Sequence, residues 1–472
     1  MKKPQRYIGF VKFRNTSFPF EFDEEHFSLN LYPPDLETQE QYSSIIHTLE
    51  KLTQFTESVN DWIPFEDIQG TTSEGHNIRF HVSSNYISYH GFLNFSVAWY
   101  FVWEQEYSED SIYGLHLQGP EIDAFFPPDS VFKYDIEPDG RLLGAKKLTV
   151  SAEKQNEVTG GSYQISDELV ANIYFYSYAT LMRSANPVIS RSRMTIVFSK
   201  AVDLPTLIRV QEHLERLFMY VTDRANVSLN LSEVFTLNRD GKRYSYGWFG
   251  FLKRFSEETS PKAKKQIIDF TVLGEKTADL MQVISTEQIG YEYLPRSVDD
   301  KNHYTVSRFI LTLAAFEREC RNIYGTDIGR SERFTNVKMD IVRLAEEYRD
   351  RQTGKRKGYA ADLIKAIQNF DLGYWFNVQY ALKDCRDIME TFTVRKYGTP
   401  PKPFDELAEE ISHRVGELRN NLAHDKLDWS FEAIQISDIK VVEELLYAIR
   451  LKQIGLEKDK IREGIKNLFQ EI

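Results

Sequence analysis

Cysteine is nearly missing from this chain: two occur in 472 residues, Cys320 and Cys385, each inside a helical pattern and neither in a paired motif. That argues against a disulfide framework and for a reducing compartment. No run of 18 apolar residues appears, and the opening Met1-Lys2-Lys3-Pro4-Gln5-Arg6-Tyr7 lacks the apolar core of a secretory leader. The expectation is a cytoplasmic protein with no membrane partner, in which sequons such as Asn94-Phe95-Ser96 and Asn226-Val227-Ser228 carry no meaning. CxxC, HExxH, Walker A and strand-linked GxGxxG motifs are also missing, so no metal and no cofactor is expected. Gly160-Gly161 has no helix and lysine behind it and reads as a turn. Asp299-Asp300 fall in a presumptive linker and suggest no metal site. There is no internal repeat and no low-complexity segment.

What the chain has in plenty is aromatic side chains, 14% of the total with 32 Phe and 26 Tyr, mostly in the first 300 residues. Hydrophobic residues at 42% and charged ones at 27% are ordinary for a globular protein, and the length allows two or three domains with proper cores. The formal net charge of −12 is unevenly placed. Residues 296–472 hold 30 basic and 30 acidic side chains, leaving 28 and 40 for the first 295. An acidic front half is a poor general clamp for nucleic acid, whereas a neutral back half can meet RNA through a local basic patch.

The pattern changes near residue 300. Before it, strand-like alternation dominates: Tyr7–Phe13, Phe27–Tyr32, Phe95–Phe101 and Met194–Phe198, with turn signals at Pro127-Pro128-Asp129, Glu137–Gly140 and Thr159–Gly161. One helix interrupts them, with Leu207, Val210, Leu214, Leu217 and Val221 at helical spacing behind Asp203 as N-cap and Pro205 in the first turn. Two more strands follow, joined by a turn at Asn238–Gly241. The fold class expected is α+β in several domains: a β-rich, sandwich-like region over 1–295, with a sub-boundary near 165–200, then an all-α bundle over 300–472. The proline-bearing run Leu294–His303 reads as the linker.

After residue 300 the spacing predicts helices throughout. Phe309, Leu313, Phe316, Cys320 and Ile323 mark the first; Val337, Ile341, Leu344 and Tyr348 the next; then Leu363, Ile367 and Phe370; then Leu382, Cys385 and Met389. Leu407, Ile411, Val415, Leu418 and Leu422 mark a later one, starting at Pro403 or Asp405, and Ile439–Ile454 and Ile461–Phe469 close the chain. Near the end of the Leu407–Leu422 helix stands Glu417-Leu418-Arg419-Asn420-Asn421-Leu422-Ala423-His424. Arg419, an amide directly after it and His424 form an R-N-x3-H signature. Arg296 and His303 fit the looser spacing too, but lie in the linker and are taken as coincidence.

These residue types suit RNA cleavage by the strand's own 2′-hydroxyl. A histidine, ordinarily titrating near pH 6.5, can move the proton. An arginine can hold the charge of the phosphorane by bidentate hydrogen bonds. Asn420 can position the phosphate or the histidine ring. The competing reading makes Arg419 a C-terminal cap and His424 a boundary residue.

The signature, at the end of a late helix in an all-helical region, resembles a HEPN domain (higher eukaryotes and prokaryotes nucleotide-binding), many members of which are metal-independent ribonucleases. A β-rich front before such a bundle resembles the ApeA-like branch of bacterial anti-phage, abortive-infection proteins. The likeness is detailed over 300–472 and architectural over 1–290. It implies an endoribonuclease with Arg419, Asn420 and His424 in catalytic roles, leaving 2′,3′-cyclic phosphate and 5′-hydroxyl ends on host RNA (tRNA among the candidates) or phage RNA. It implies a homodimer through the HEPN domain and a phage-derived trigger sensed by the N-terminal region. An acidic residue on the first helix of such bundles often faces the site, and Glu317 in Ala314–Glu317 fits; alternatively Glu317 simply pairs with Arg321. The basic run Arg349, Arg351, Lys355, Arg356 and Lys357 is a candidate RNA-binding patch or a solvated loop. His413, on the motif helix, is expected to be a surface or interface residue and not a second base. Lys426 stands where family members silenced by nucleotidyl transfer carry tyrosine, which argues against that control. The alternative to an enzyme is a HEPN scaffold that binds RNA or a partner without cutting.

Overall fold

The computed structural model describes residues 6–40, 65–83, 87–89, 91–128, 132–134, 148–150, 157–181, 188–229, 232–252, 255, 257–325, 332–368, 373–397, 402–424 and 431–470. Contacts divide the chain into two compact units. The first comprises Met1–Phe218, Asn226–Thr259 and Asp269–Gln282; the second Met219–Ala225, Ser260–Ile268 and Val283–Ile472.

The first unit is built on strands β1 (Arg6–Phe13), β2 (Thr16–Asp23), β3 (Ser28–Leu31), β4 (Phe65–Thr72), β5 (His76–Ser83), β6 (Ile87–Tyr89), β7 (Phe92–Glu104) and β8 (Ile112–Leu117), then β9 (Phe132–Tyr134), β10 (Leu148–Val150), β11 (Val158–Ser166), β12 (Leu169–Leu181), β13 (Val188–Val202), β14 (Ser232–Leu237) and β15 (Arg243–Phe251). Alternation decides what lies inside: in β2 Phe18, Phe20 and Phe22 are buried while their neighbours are less so. Hydrogen bonding passes from β7 through β3, β2, β1, β4 and β5 and returns to β7, closing a six-stranded ring. Phenylalanines and tyrosines fill it, among them Phe22 against Tyr100 at 4.8 Å and Phe80 at 4.9 Å between ring centroids.

The sandwich expectation is corrected here. Among the described residues the strands make one thirteen-stranded sheet, plus the small β9–β10 pair. The cause is the length of β7: Leu93–Ser96 pairs with β3, Val97–Glu104 with β5 and Trp99–Trp103 also with β15, so one 13-residue strand joins the ring to the rest of the sheet. Period-two alternation looks the same in a barrel and a sandwich, which is why sequence could not separate them.

Turns follow local chemistry. Asn238 Oδ1 accepts from the backbone N–H groups of Asp240 (3.0 Å) and Lys242 (2.9 Å), closing the β14–β15 turn as expected. The Thr159–Gly161 turn is instead a bulge inside β11, with Gly161 at φ 91°. A Cβ there would lie 2.6 Å from the Glu275 carbonyl oxygen, so the site requires glycine. Glu137–Gly140 lie outside the described residues. The first long helix forms where expected, with Asp203 Oδ1 accepting from Thr206 N at 3.0 Å.

Helices are numbered α1 (Pro120–Phe125), α2 (Leu204–Thr222), α3 (Phe270–Leu273), α4 (Lys276–Ser285), α5 (Val306–Tyr324), α6 (Glu332–Asp350), α7 (Lys355–Gln368), α8 (Tyr374–Asp384), α9 (Arg386–Lys396), α10 (Phe404–His424), α11 (Ala433–Gln453) and α12 (Lys458–Phe469). The second unit is organised around α11, buried continuously from Val441 to Leu451 and packed by α5, α8, α9, α10 and α12. Its buried charges are matched: Asp438 by Arg414 and Tyr397, Glu443 by Arg308 and Tyr304, Glu444 by Lys396, and Arg450 by Glu319. Strand-rich front and helical back thus agree with an α+β chain.

Three expectations about the back half are corrected. Leu294–His303 is no free linker: Val298 and Lys301 are buried, and Pro295 accepts a hydrogen bond from Ala225 N at 2.9 Å. The Leu382–Met389 helix is two helices, α8 and α9, meeting at Cys385. The stripe Val337, Ile341, Leu344 and Tyr348 forms its helix, α6, but stands 56%, 46%, 59% and 54% exposed, since α6 packs mainly against α7. Phe370 lies outside the described residues.

Candidate functional site

Helix α10 starts at Phe404, between the two starts expected, and Leu407, Ile411, Val415 and Leu418 turn inward along one face. That fixes the rotation of the helix and puts Arg419 on a flank, 44% of its side chain exposed, with Asn420 exposed beside it. His424 is the last residue of α10; its side chain lies outside the described residues.

Glu317 comes from α5, whose buried face carries Phe309, Leu313, Phe316 and Cys320. Its Oε2 accepts from Arg419 Nη2 at 3.4 Å, and its Oε1 from Arg321 Nη2 at 2.6 Å. The two readings of Glu317 are therefore not exclusive: one carboxylate serves both guanidiniums. With Arg321 57% and Arg419 44% exposed this is a water-screened network, weak as a source of stability.

Helix α8 adds residues that the motif did not indicate. The Tyr374 hydroxyl donates to the Leu313 carbonyl at 3.1 Å. Burial above all, then Cys320 and Glu317, push this phenol well above its ordinary range, while Arg419 pulls it back, so both charges of the pair act on it. Trp375 lies against Gly416, where a Cβ would come within 2.9 Å of the tryptophan Cβ. The His413 ring stacks on Trp375 at 4.8 Å with planes 12° apart. His413 is at the surface as expected, but as part of an aromatic pair.

Arg349, Arg351, Lys355, Arg356 and Lys357 lie elsewhere on the unit, where α6 hands over to α7. The loop reading is corrected in part: Lys355, Arg356 and Lys357 form the first turn of α7. Arg349 pairs with Asp350 at 3.0 Å and Arg351 with Glu347 at 3.9 Å, which reduces the field of the patch. Among the described residues no group of three or more His, Cys, Asp or Glu is placed to hold a metal ion, and no helix is long and apolar enough to cross a membrane. Compared with known proteins, the chain matches no family model, no curated protein and no solved structure.

Chemically, the α5–α8–α10 surface offers a half-exposed guanidinium in contact with a carboxylate and an exposed amide, on a helix whose last residue, five positions after Arg419, is a histidine. An oriented cation with an adjacent amide is suited to a phosphodiester, and the following histidine adds a proton carrier.

Proposed function

We propose that this chain is a metal-independent endoribonuclease of the HEPN kind, serving anti-phage defence with its β-rich unit as sensor. The observation that carries the reading is the contact of Glu317 on α5 with Arg419 on α10, the helix that ends in His424. Arg419 binds the scissile phosphate and stabilises the extra negative charge of the phosphorane. Asn420 holds a phosphate oxygen or the histidine. His424 lies roughly 7–8 Å further along the α10 axis than Arg419. It takes the proton of the 2′-hydroxyl as the 2′-oxygen attacks phosphorus; the P–O5′ bond breaks, O5′ takes a proton from a solvent water, and the resulting hydroxide takes back the proton held by His424. The products are a 2′,3′-cyclic phosphate and a 5′-hydroxyl. Glu317 is a positioning residue. Two copies joined through the helical unit, and a phage-derived trigger acting on the β-rich unit, complete the proposal.

A second reading is favoured by the same carboxylate. Because Glu317 already satisfies both Arg321 and Arg419, the network suits a non-cutting scaffold that binds RNA or a partner. The deciding experiment incubates total bacterial RNA in EDTA with wild type or His424→Ala, with and without phage lysate, and analyses the ends. Cyclic-phosphate ends from wild type alone support the nuclease. Uncut RNA in every lane supports the scaffold.

A further inference from the structure

Beside Arg419 is a surface that phosphate chemistry does not use. Trp375 is half-buried over Gly416, and Gly416 and Arg419 are i, i+3 neighbours on one flank of α10. His413 lies flat on Trp375 and is itself exposed, so an aromatic face is presented to solvent. Along α8, Phe376 meets Trp375 edge-on at 5.8 Å and stacks on Tyr380 at 6.4 Å, and both are partly exposed. Partly exposed rings beside the stretch of α10 that carries Arg419, with His413 roughly 9 Å back along the helix axis, are a poor use of surface for stability alone. The pairing of flat rings with a cation suits a ligand with a flat π-face and an attached anion. An unpaired nucleotide has both. Glu417 projects about 200° around the α10 axis from Arg419 and leaves that guanidinium open to phosphate, but as the i+4 neighbour of His413 it borders the rings, so the phosphate is drawn to the Arg419 side of the platform.

We propose that the His413–Trp375 pair is a stacking platform for an unpaired RNA base, which sets the neighbouring phosphate on Arg419. The class of substrate is single-stranded RNA or the loop of a structured RNA, and base-paired RNA is rejected because its faces are already stacked. This deepens the nuclease reading and rests on it for its place in cleavage, yet strand binding can be measured separately.

The test uses the full chain carrying His424→Ala, a fluorescent unpaired oligonucleotide and the same oligonucleotide in a duplex. The expected result is preference for the single strand, weakened roughly tenfold to a hundredfold by Trp375→Ala and by less in Trp375→Phe. His413→Ala, at an exposed position outside the apolar core, weakens it as well. These losses leave the salt dependence of binding unchanged, whereas Arg419→Ala lowers its slope by roughly one. Equal binding of duplex and single strand, or full binding by both His413→Ala and Trp375→Ala, overturns the platform. If wild type never cuts RNA but Trp375→Ala still loses strand binding, the platform stands and the nuclease reading falls. If wild type cuts and the Trp375 and His413 variants bind and cut as it does, the reverse holds.

Discussion

Glu317 and Arg419, 102 residues apart in sequence, meet at 3.4 Å between α5 and α10. Neither helix buries this pair, and each is held in place by its own apolar face: Phe309, Leu313 and Phe316 on one, Ile411, Val415 and Leu418 on the other. The core therefore sets the geometry and the ion pair only trims it. An exposed, core-aimed cation of this kind is suited to a task outside the protein more than to holding helices together.

That distinction makes the behaviour of Arg419 specific. Arg419→Ala is expected to lower cleavage by roughly a hundredfold to a thousandfold, the loss seen when one charge-stabilising donor is removed. Its melting temperature stays near wild type, because exposed pairs contribute on the order of 0–1 kcal/mol. Arg419→Lys recovers little of the activity, since an ammonium cannot bind phosphate bidentately. Activity and thermal scans on the same preparations check this; a large fall in melting temperature together with intact cleavage would reverse the assignment.

In the proposed nuclease Glu317 acts through Arg419, so its loss should appear in turnover and not in binding. Glu317→Gln is expected to lower kcat by roughly tenfold with KM little changed, as for a misaligned group. Arg321 shares the same carboxylate at 2.6 Å and supplies the control. If Arg321→Ala reduces kcat as much as Glu317→Gln, the carboxylate matters for helix charge balance and not for aiming Arg419.

Much of this was legible from residue order. The strands β1, β3, β7 and β13, the helix capped by Asp203 and the inward face of α10 all follow local alternation or 3.6-residue spacing. What was hidden depended on partners distant in sequence. Ring closure of β5 on β7 is a pairing choice that alternation does not encode. Trp375 gave no signal because its role arises only where Gly416, some forty residues later, makes room for it. The α6 stripe misled in the other direction: spacing shows which residues share a face, not whether another element covers it.

The α6 stripe yields a contrast in stability. Leu344 is 59% exposed and Val415 is buried at 1%. Leu344→Ala is expected to change unfolding free energy by less than about 0.5 kcal/mol, as surface substitutions do. Val415→Ala, which opens a cavity inside the helical unit, costs on the order of 1–3 kcal/mol. Denaturant melts of both variants compare them directly. An equal, large loss at Leu344 would mean that the stripe is covered in solution.

Glu319 gives the helical unit a dependence on pH. Burial between α5 and α11 pushes its carboxyl up to about 7 against the pull of Arg450. A carboxyl whose folded pKa lies above its unfolded value makes the folded state bind the extra proton. Its contribution to stability is complete below the ordinary carboxylate range and disappears as pH rises through about 7. Wild type should therefore lose on the order of 1–3 kcal/mol relative to Glu319→Gln across that window. Glutamine keeps an acceptor for the Arg450 guanidinium and cannot titrate, so the difference between the two melting curves isolates this group from every other ionisation in the chain. Parallel curves would mean that Glu319 stays ionised throughout, held by Arg450 strongly enough to cancel its burial.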